Sequence, residues 1–323
     1  MATPDAPLRL DEPGDWPEQL AVRIAWCYYT LGLTQQEIAE RLGLTRVRVN
    51  RLLAEARRRG VVKITITSPL AENVALEERL TARYGLKEAH VVLAEGEDGA
   101  TAQLLGTVAA EAVAPALVDG VTVGVGWGIT LRAFADQMVQ KSLQGAAVVA
   151  MLGSLTRRSS IDTFEAATAL AHRLHAECFY MPGPLICDSQ QSREAIEAMP
   201  LLQDIHHRLT RADLAVVSVG GMDSGTIRAA GLISARELDE VRAAGAIGNF
   251  LGYYIDANAN IIDHPVSSRV LGMRPERLAD LPRRLMVSGG AIKVPVLRAL
   301  LTSGLLTGLV TDQATALSLL EEP

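Results

Sequence analysis

Seven short apolar runs in the larger, C-terminal part of the chain limit its fold more than any other feature. They are residues 90–93, 121–125, 146–152, 178–181, 214–219, 285–287 and 308–311. Each is apolar on both faces, and stretches of helical periodicity separate them. Those helices are expected at about 100–118, 130–140, 163–175, 189–198, 234–244, 293–303 and 313–320. Strands that bury both faces and return through helices form a mostly parallel sheet covered on both sides. The expected fold is therefore a doubly wound, mostly parallel α/β domain.

In such a sheet, ligands bind beyond the carboxyl ends of the strands. The loops there carry unusual residues. Gly124-Val125-Gly126-Trp127-Gly128-Ile129-Thr130 leaves the second run and enters a helix. Glycines let the backbone approach a ligand, and free N–H groups at a helix start attract an anion. The spacing GxGxGxT is neither a dinucleotide fingerprint nor a phosphate-binding GK[ST] loop. By itself it fits a tight strand-to-helix turn as well as an anion site. Gly220-Gly221 follows the fifth run, and Ser288-Gly289-Gly290 follows the sixth and leads to Lys293. A lysine at a helix start is mildly disfavoured by the helix dipole and is better placed beside an anionic ligand. Asp256 ends the run 250–255, and Asp312 ends the last run, where it would serve equally as a helix N-cap. Pro182-Gly183-Pro184 can form a rim, and Arg157-Arg158 either grips a second phosphate or sits in solvent. Carboxylates accept from hydroxyls while N–H groups and lysine hold phosphate, so the set suits a polyhydroxylated ligand, with or without phosphate.

Ahead of this domain lies TQQEIAERLGLTRVRVNRLLAEARRRG, residues 34–60. Thr34 and Glu37 have the spacing of a capping box, Gly43 suits a left-handed helix end, and Thr45 can cap a second helix. Val49, Leu52, Leu53 and Ala56 fall on one buried face. Arg46, Val47, Arg48, Asn50 and Arg51 are left facing outward, the make-up of a major-groove recognition helix. Thr34, Gln35 and Thr45 at the helix starts and Arg57 further along are further candidate DNA contacts. Arg57, Arg58, Arg59 and Lys63 are either phosphate contacts or a solvated charge run. A first helix is expected at about 18–31. A β-rich run at 61–67 would make the domain a winged helix-turn-helix, and Ser68-Pro69 breaks the pattern.

Charge supports this division. The net charge of −6 hides 10 basic against 8 acidic residues in 1–70, and 21 against 29 in the remainder. Between Thr45 and Lys63 seven basic residues face the single Glu55. Such a basic patch on an acidic protein is an electrostatic footprint for nucleic acid. No apolar run approaches the ~20 residues of a membrane helix, and the acidic, proline-rich start lacks a signal peptide's pattern, so a cytoplasmic protein without a membrane partner is expected. Cys27, Cys178 and Cys187 form no CxxC pair and read as reduced thiols. His172 with His175 and His206 with His207 lack an evident third ligand, so no metal and no cofactor are expected.

The segments 28–57, GVGWGITL (124–131), GAIGNFLGYYID (245–256), RVLGM (269–273) and SGGAIKVPVLRALLTSGLLTGLVTDQATA (288–316) together resemble the SorC-type sugar-binding transcriptional regulators, sometimes grouped under the DeoR name. The resemblance runs from about Trp26 to the end. It implies a repressor of a carbohydrate or polyol operon, with operator DNA, a sugar, polyol or sugar-phosphate effector, and a dimer or tetramer of itself as partners. It implies an effector domain resembling ribose-5-phosphate isomerase and glucosamine-6-phosphate deaminase. It carries effector roles onto Gly126, Gly128, Thr130, Asp256, Arg269, Lys293 and Asp312. The loop reading adds Gly124, Trp127, Gly220 and Gly290. Where the family commonly has a glycine turn after the aspartate, this chain has Ala257-Asn258-Ala259-Asn260.

The expected organisation is an arm at 1–16, a DNA-binding domain at 17–68, a linker helix at 69–88 and an effector and oligomerisation domain at 89–323. The helix at 70–84 reads equally as the first helix of the effector domain. An alternative function is a sugar-phosphate isomerase or deaminase fused to a DNA-binding module, with Asp256 or Asp312 as base. No complete acid/base pair accompanies those residues.

Overall fold

The computed structural model describes residues 16–62, 71–93, 99–154, 165–222, 227 and 231–321. Of the arm expected at 1–16, residues 1–15 lie outside the described residues and Trp16 begins the first helix; Lys63 and most of the 61–67 run, Ser68-Pro69 and Arg157-Arg158 also lie outside them. The chain divides into two compact units, 1–67 and 68–323.

In the first unit, α1 (Trp16–Tyr29), α2 (Gln35–Leu42) and α3 (Arg46–Arg58) share one core. Ala21, Ile24, Ala25 and Cys27 meet Ile38, Ala39, Val49, Leu52, Leu53 and Ala56. The Thr34–Glu37 capping box is present, Gly43 ends α2 at φ 64°, and Thr45 caps α3.

The second unit begins with α4 (Ala71–Tyr84) and β1 (Glu88–Val92). It continues through α5 (Gly99–Val113), β2 (Thr122–Val125), α6 (Ile129–Gln137), β3 (Ala147–Ala150), α7 (Glu165–Leu174) and β4 (Glu177–Phe179). Then come α8 (Gln190–Glu197), α9 (Pro200–Thr210), β5 (Leu214–Val217) and β6 (Val219–Gly221). It closes with α10 (Ala235–Ala243), β7 (Gly248–Phe250), β8 (Tyr253–Ile255), β9 (Arg284–Val287), α11 (Val294–Thr302), β10 (Gly308–Asp312) and α12 (Gln313–Leu320). The seven-stranded sheet runs β1-β10-β9-β5-β2-β3-β4, and every neighbouring pair is parallel. A smaller antiparallel sheet, β6-β7-β8, grows out of the carboxyl end of β5.

Two apolar layers cover the large sheet, with Val217, Met286 and Leu309 in one and Val216, Val287 and Val310 in the other. The segment read as a linker is docked on this unit. Leu76 and Leu80 of α4 are in its core, and Asn73 Nδ2 donates to the Val91 carbonyl oxygen at 3.1 Å. At the far end the Arg83 guanidinium and the Tyr84 hydroxyl donate to the carbonyls of Leu320 and Leu319, both at 2.7 Å. Helices α5 and α6 are pressed backbone to backbone at Gly106, where a Cβ would stand 2.6 Å from Ala133 C and from Phe134 N.

At the amino end of β1, Arg283 donates to Glu88 through Nε and Nη2 at 2.7 and 2.8 Å. Burial alone would raise the Glu88 carboxyl. The His90 ring, 3.6 Å away, and the Arg283 fork outweigh it and hold the carboxyl down to about 2.

Candidate functional site

Strand order gives the place where a ligand crevice is expected. From β2 the chain moves outward through β3 to β4, returns at β5, and then moves the other way through β9 and β10. The direction of winding therefore changes between β2 and β5, and a crevice opens at the carboxyl ends of such a pair. The loops leaving β2, β5, β9 and β10 come from four adjacent strands. These loops and the element ends they join hold Gly126, Trp127, Gly128, Thr130, Gly220, Gly290, Lys293 and Asp312.

Within the glycine loop the three glycines differ. Gly124 lies inside β2, where a Cβ would contact Met151 and Leu209. Gly126 donates its N–H to the Val216 carbonyl at 2.9 Å and ties the loop to β5. Gly128 takes φ 121°, has open space where a Cβ would be, and caps α6 without a side-chain bond. Its region is open almost only to glycine. The first turn of α6 therefore presents N–H groups without a capping side chain, the arrangement that receives an anion or a hydroxyl oxygen. Trp127 packs into the core at 9% exposure, and Thr130, equally buried, stands one residue into α6.

The loop after β9 repeats the device. Gly290 takes φ 104° and leads into a single 3-10 turn, Ala291–Lys293, which continues as α11. Lys293 is half-buried, with no carboxylate partner among the described residues. Asp312 is 1% exposed and caps α12, its Oδ1 accepting the Thr315 N–H at 2.9 Å. Its Oδ2 accepts the Gly290 N–H at 3.0 Å. Of the two roles open to Asp312, the cap is formed.

Two residues stand apart from these loops. Asp256 directly follows β8 of the small sheet and accepts the N–H groups of Asn258 and Asn260, both at 2.8 Å. Partial burial would raise its carboxyl, but these bonds outweigh it and hold it below the usual range. Ala259, in the same turn, sits at φ 63°, a left-handed position where glycine is favoured. Arg269 lies in the turn Ser267–Arg269, where its guanidinium pairs with Glu237.

Burial adds residues the motifs did not single out. Asn249 of β7 is 5% exposed, and its amide lies so near Gly220 that a Cβ there would meet Nδ2 at 2.6 Å. The Ser288 hydroxyl, directly after β9, is fully buried and has no hydrogen-bond partner among the described residues. Buried polar groups are ordinarily bonded, so the open valence of Ser288 points to a hydroxylated ligand or water.

On α3, Arg46, Val47, Arg48, Asn50 and Arg51 are all exposed, Val47 at 80%. Arg57 and Arg58 are exposed on the last turn, and Arg59 pairs with Glu55 at 3.9 Å. Thr34 and Thr45 accept the Glu37 and Arg48 N–H groups at 3.3 Å as caps. Gln35 Nε2 lies 3.5 Å from Asn50 Oδ1, which brings the start of α2 to the recognition face.

Comparison with known proteins agrees with both units. Residues 68–321 match the family described as "Putative sugar-binding domain", and residues 15–70 match the Crp-like helix-turn-helix domain. The erythritol catabolism regulatory protein EryD of Brucella abortus is 32% identical over 312 residues, 96% of this chain and 98% of that protein. The deoxyribonucleoside regulator of Bacillus subtilis is 31% identical over 94% of this chain and 98% of its own length. The crystal structure of the full-length sorbitol operon regulator SorC from Klebsiella pneumoniae superposes with a TM-score of 0.74 at 26% identity. It covers 95% of this chain and all of that one. These relatives are named as regulators, not as isomerases or deaminases, and the enzyme alternative is set aside. The chain belongs to the SorC-type family of sugar-binding transcriptional regulators, with a helix-turn-helix for DNA and a sugar-binding domain behind it.

Proposed function

We propose that this regulator is a cytoplasmic repressor of a carbohydrate or polyol operon, relieved when a sugar, polyol or sugar phosphate enters the crevice between β2 and β5. The observation that carries this reading is a pair of helix starts without capping side chains, at Gly128 and after Gly290, leaving the strands on either side of β5, with Lys293 on the second. N–H groups and the Lys293 ammonium would hold a phosphate or an oxygen-rich end of the ligand. Thr130, Asn249 and Ser288 would bond its hydroxyls. Asp312 would act through the loop it fixes, and Arg269 and Asp256 through the segments they brace.

The α3 side chains would read the operator, Arg48, Asn50 and Arg51 at base edges and Arg57 at phosphate. Two copies would span half-sites ~34 Å apart. The effector need only bind one arrangement of the subunits better than another. The test pairs a thermal-shift screen of sugars, polyols and their phosphates with fluorescence anisotropy on DNA upstream of the chain's own operon. A hit that raises the melting temperature and changes operator affinity supports the reading. Operator binding that no such compound alters overturns it.

A further inference from the structure

Helix α1 is apolar on two sides. Ala21, Ile24 and Ala25 face the core with α2 and α3 and are at most 5% exposed. On another side Val22, Trp26 and Tyr29 recur at i, i+4 and i+7, one helical face, and are 47, 58 and 38% exposed. Leu31 in the following turn is 51% exposed. None of these four belongs to the core of the unit. Exposed apolar residues scattered singly are ordinary, whereas a continuous stripe marks a contact surface.

We infer that this stripe is the contact between the DNA-binding units of two copies of the chain, made when both occupy one operator. The inference rests on the DNA-binding reading. Area selects the occupant. An aromatic side chain buries ~150–250 Å², so the stripe offers on the order of 300–400 Å² per copy. Pairing two would bury roughly 700 Å², short of the ~1,200 Å² of a stable free complex. A separate protein would not stay on such a surface. Two units already held on neighbouring half-sites need no more, because effective concentration replaces area. Symmetry agrees, since an isologous contact uses the same patch on both partners and needs no second surface. Two α1 helices crossing antiparallel would set each Trp26 against the other copy's Val22. The exposed face of α3 stays free for DNA.

The test uses the full chain, with anisotropy on operator DNA carrying both half-sites and on the same DNA with one half-site scrambled. Trp26→Ser should leave single half-site affinity within about 2-fold and weaken two-half-site binding about 10-fold or more. Val22→Ser should do the same to a smaller extent, and circular dichroism should match the wild type because both side chains lie outside the core. Equal losses on both DNAs, or no loss on either, overturn the inference. So does an unchanged ratio with an altered effector response, which would assign the stripe to the sugar-binding unit. If the wild type does not prefer operator to fully scrambled DNA, the DNA-binding reading itself fails.

Discussion

Asp312 Oδ2 accepts the Gly290 N–H at 3.0 Å, joining the ends of two neighbouring strands, β10 and β9. Thr315 completes the junction: its hydroxyl donates to the same Oδ2 at 2.7 Å and accepts from Gly290 N at 2.8 Å. The oxygens of this carboxylate are engaged by the protein, and what they hold is the backbone of the crevice. Asp312→Ala should cost about 2–3 kcal/mol, a lost cap plus a lost charge-assisted bond. Asp312→Asn should cost less. Gly289→Ala should be worse than either, because its Cβ would stand 2.0 Å from Asp312 Oδ2. Thermal melts of the three variants give the order.

Lys293→Ala should remove the effector response while operator affinity without effector stays within about 2-fold. Calorimetry should show effector affinity falling at least ~10-fold, since a charge-assisted bond contributes about 1.5–3 kcal/mol. A variant that responds like the wild type would mean that the crevice is elsewhere.

Arg51→Ala should weaken operator binding by about 1–3 kcal/mol and relax preference at one base position. Arg57→Ala should weaken all sequences alike and reduce the salt slope by about 1. Anisotropy titrations at several salt concentrations separate the two. Unchanged affinity in both Arg48→Ala and Arg51→Ala would remove α3 from the interface.

Ala259→Gly should stabilise the protein. At φ 63° an alanine bears about 1–2 kcal/mol of backbone strain, and glycine's greater freedom when unfolded returns roughly half of that. A gain of about 0.5–1 kcal/mol is expected, read as a raised melting temperature. Loss of stability would show that the turn is held for another reason.

Glu88 gives a pH signature. Its carboxyl is lowered from 4.5 to about 2, so its contribution to stability is complete above 4.5 and fades as pH falls toward 2. Glu88→Gln should cost about 1–3 kcal/mol at neutral pH. It should also flatten the decline in melting temperature between about pH 4.5 and 2. A decline as steep as the wild type's would assign it to other carboxylates.

The strands of the large sheet are legible because each falls on an apolar run, uninterrupted in the central strands, which are buried on both faces; the edge strand β4 is only half-buried. The last helix is legible to the residue, since Asp312 caps it. The run 214–219 was read as one strand, yet it breaks at Ser218 and β6 joins a second sheet. Strands of three residues, such as β6, β7 and β8, are too short to show a period. Helix α9 went unread although Leu202, Ile205 and Leu209 are spaced for it and Pro200 stands in its first turn. The glycine loops are legible at Gly128 and Gly290 because a positive φ demands the residue there. The burial of Asn249 is not, because it depends on Gly220, 29 positions away and on another strand.

The backbone contact at Gly106 has a mechanical consequence. With no room for a side chain at Gly106, α5 and α6 are locked together at that point and would move as one plate. Its edge begins at Gly128, on the lip of the crevice. A small rotation set there by a ligand would reach the opposite end of α6, about 13 Å along a nine-residue helix, without damping in a compliant layer. Such a coupling would transmit a ligand as a displacement, not as a change in softness.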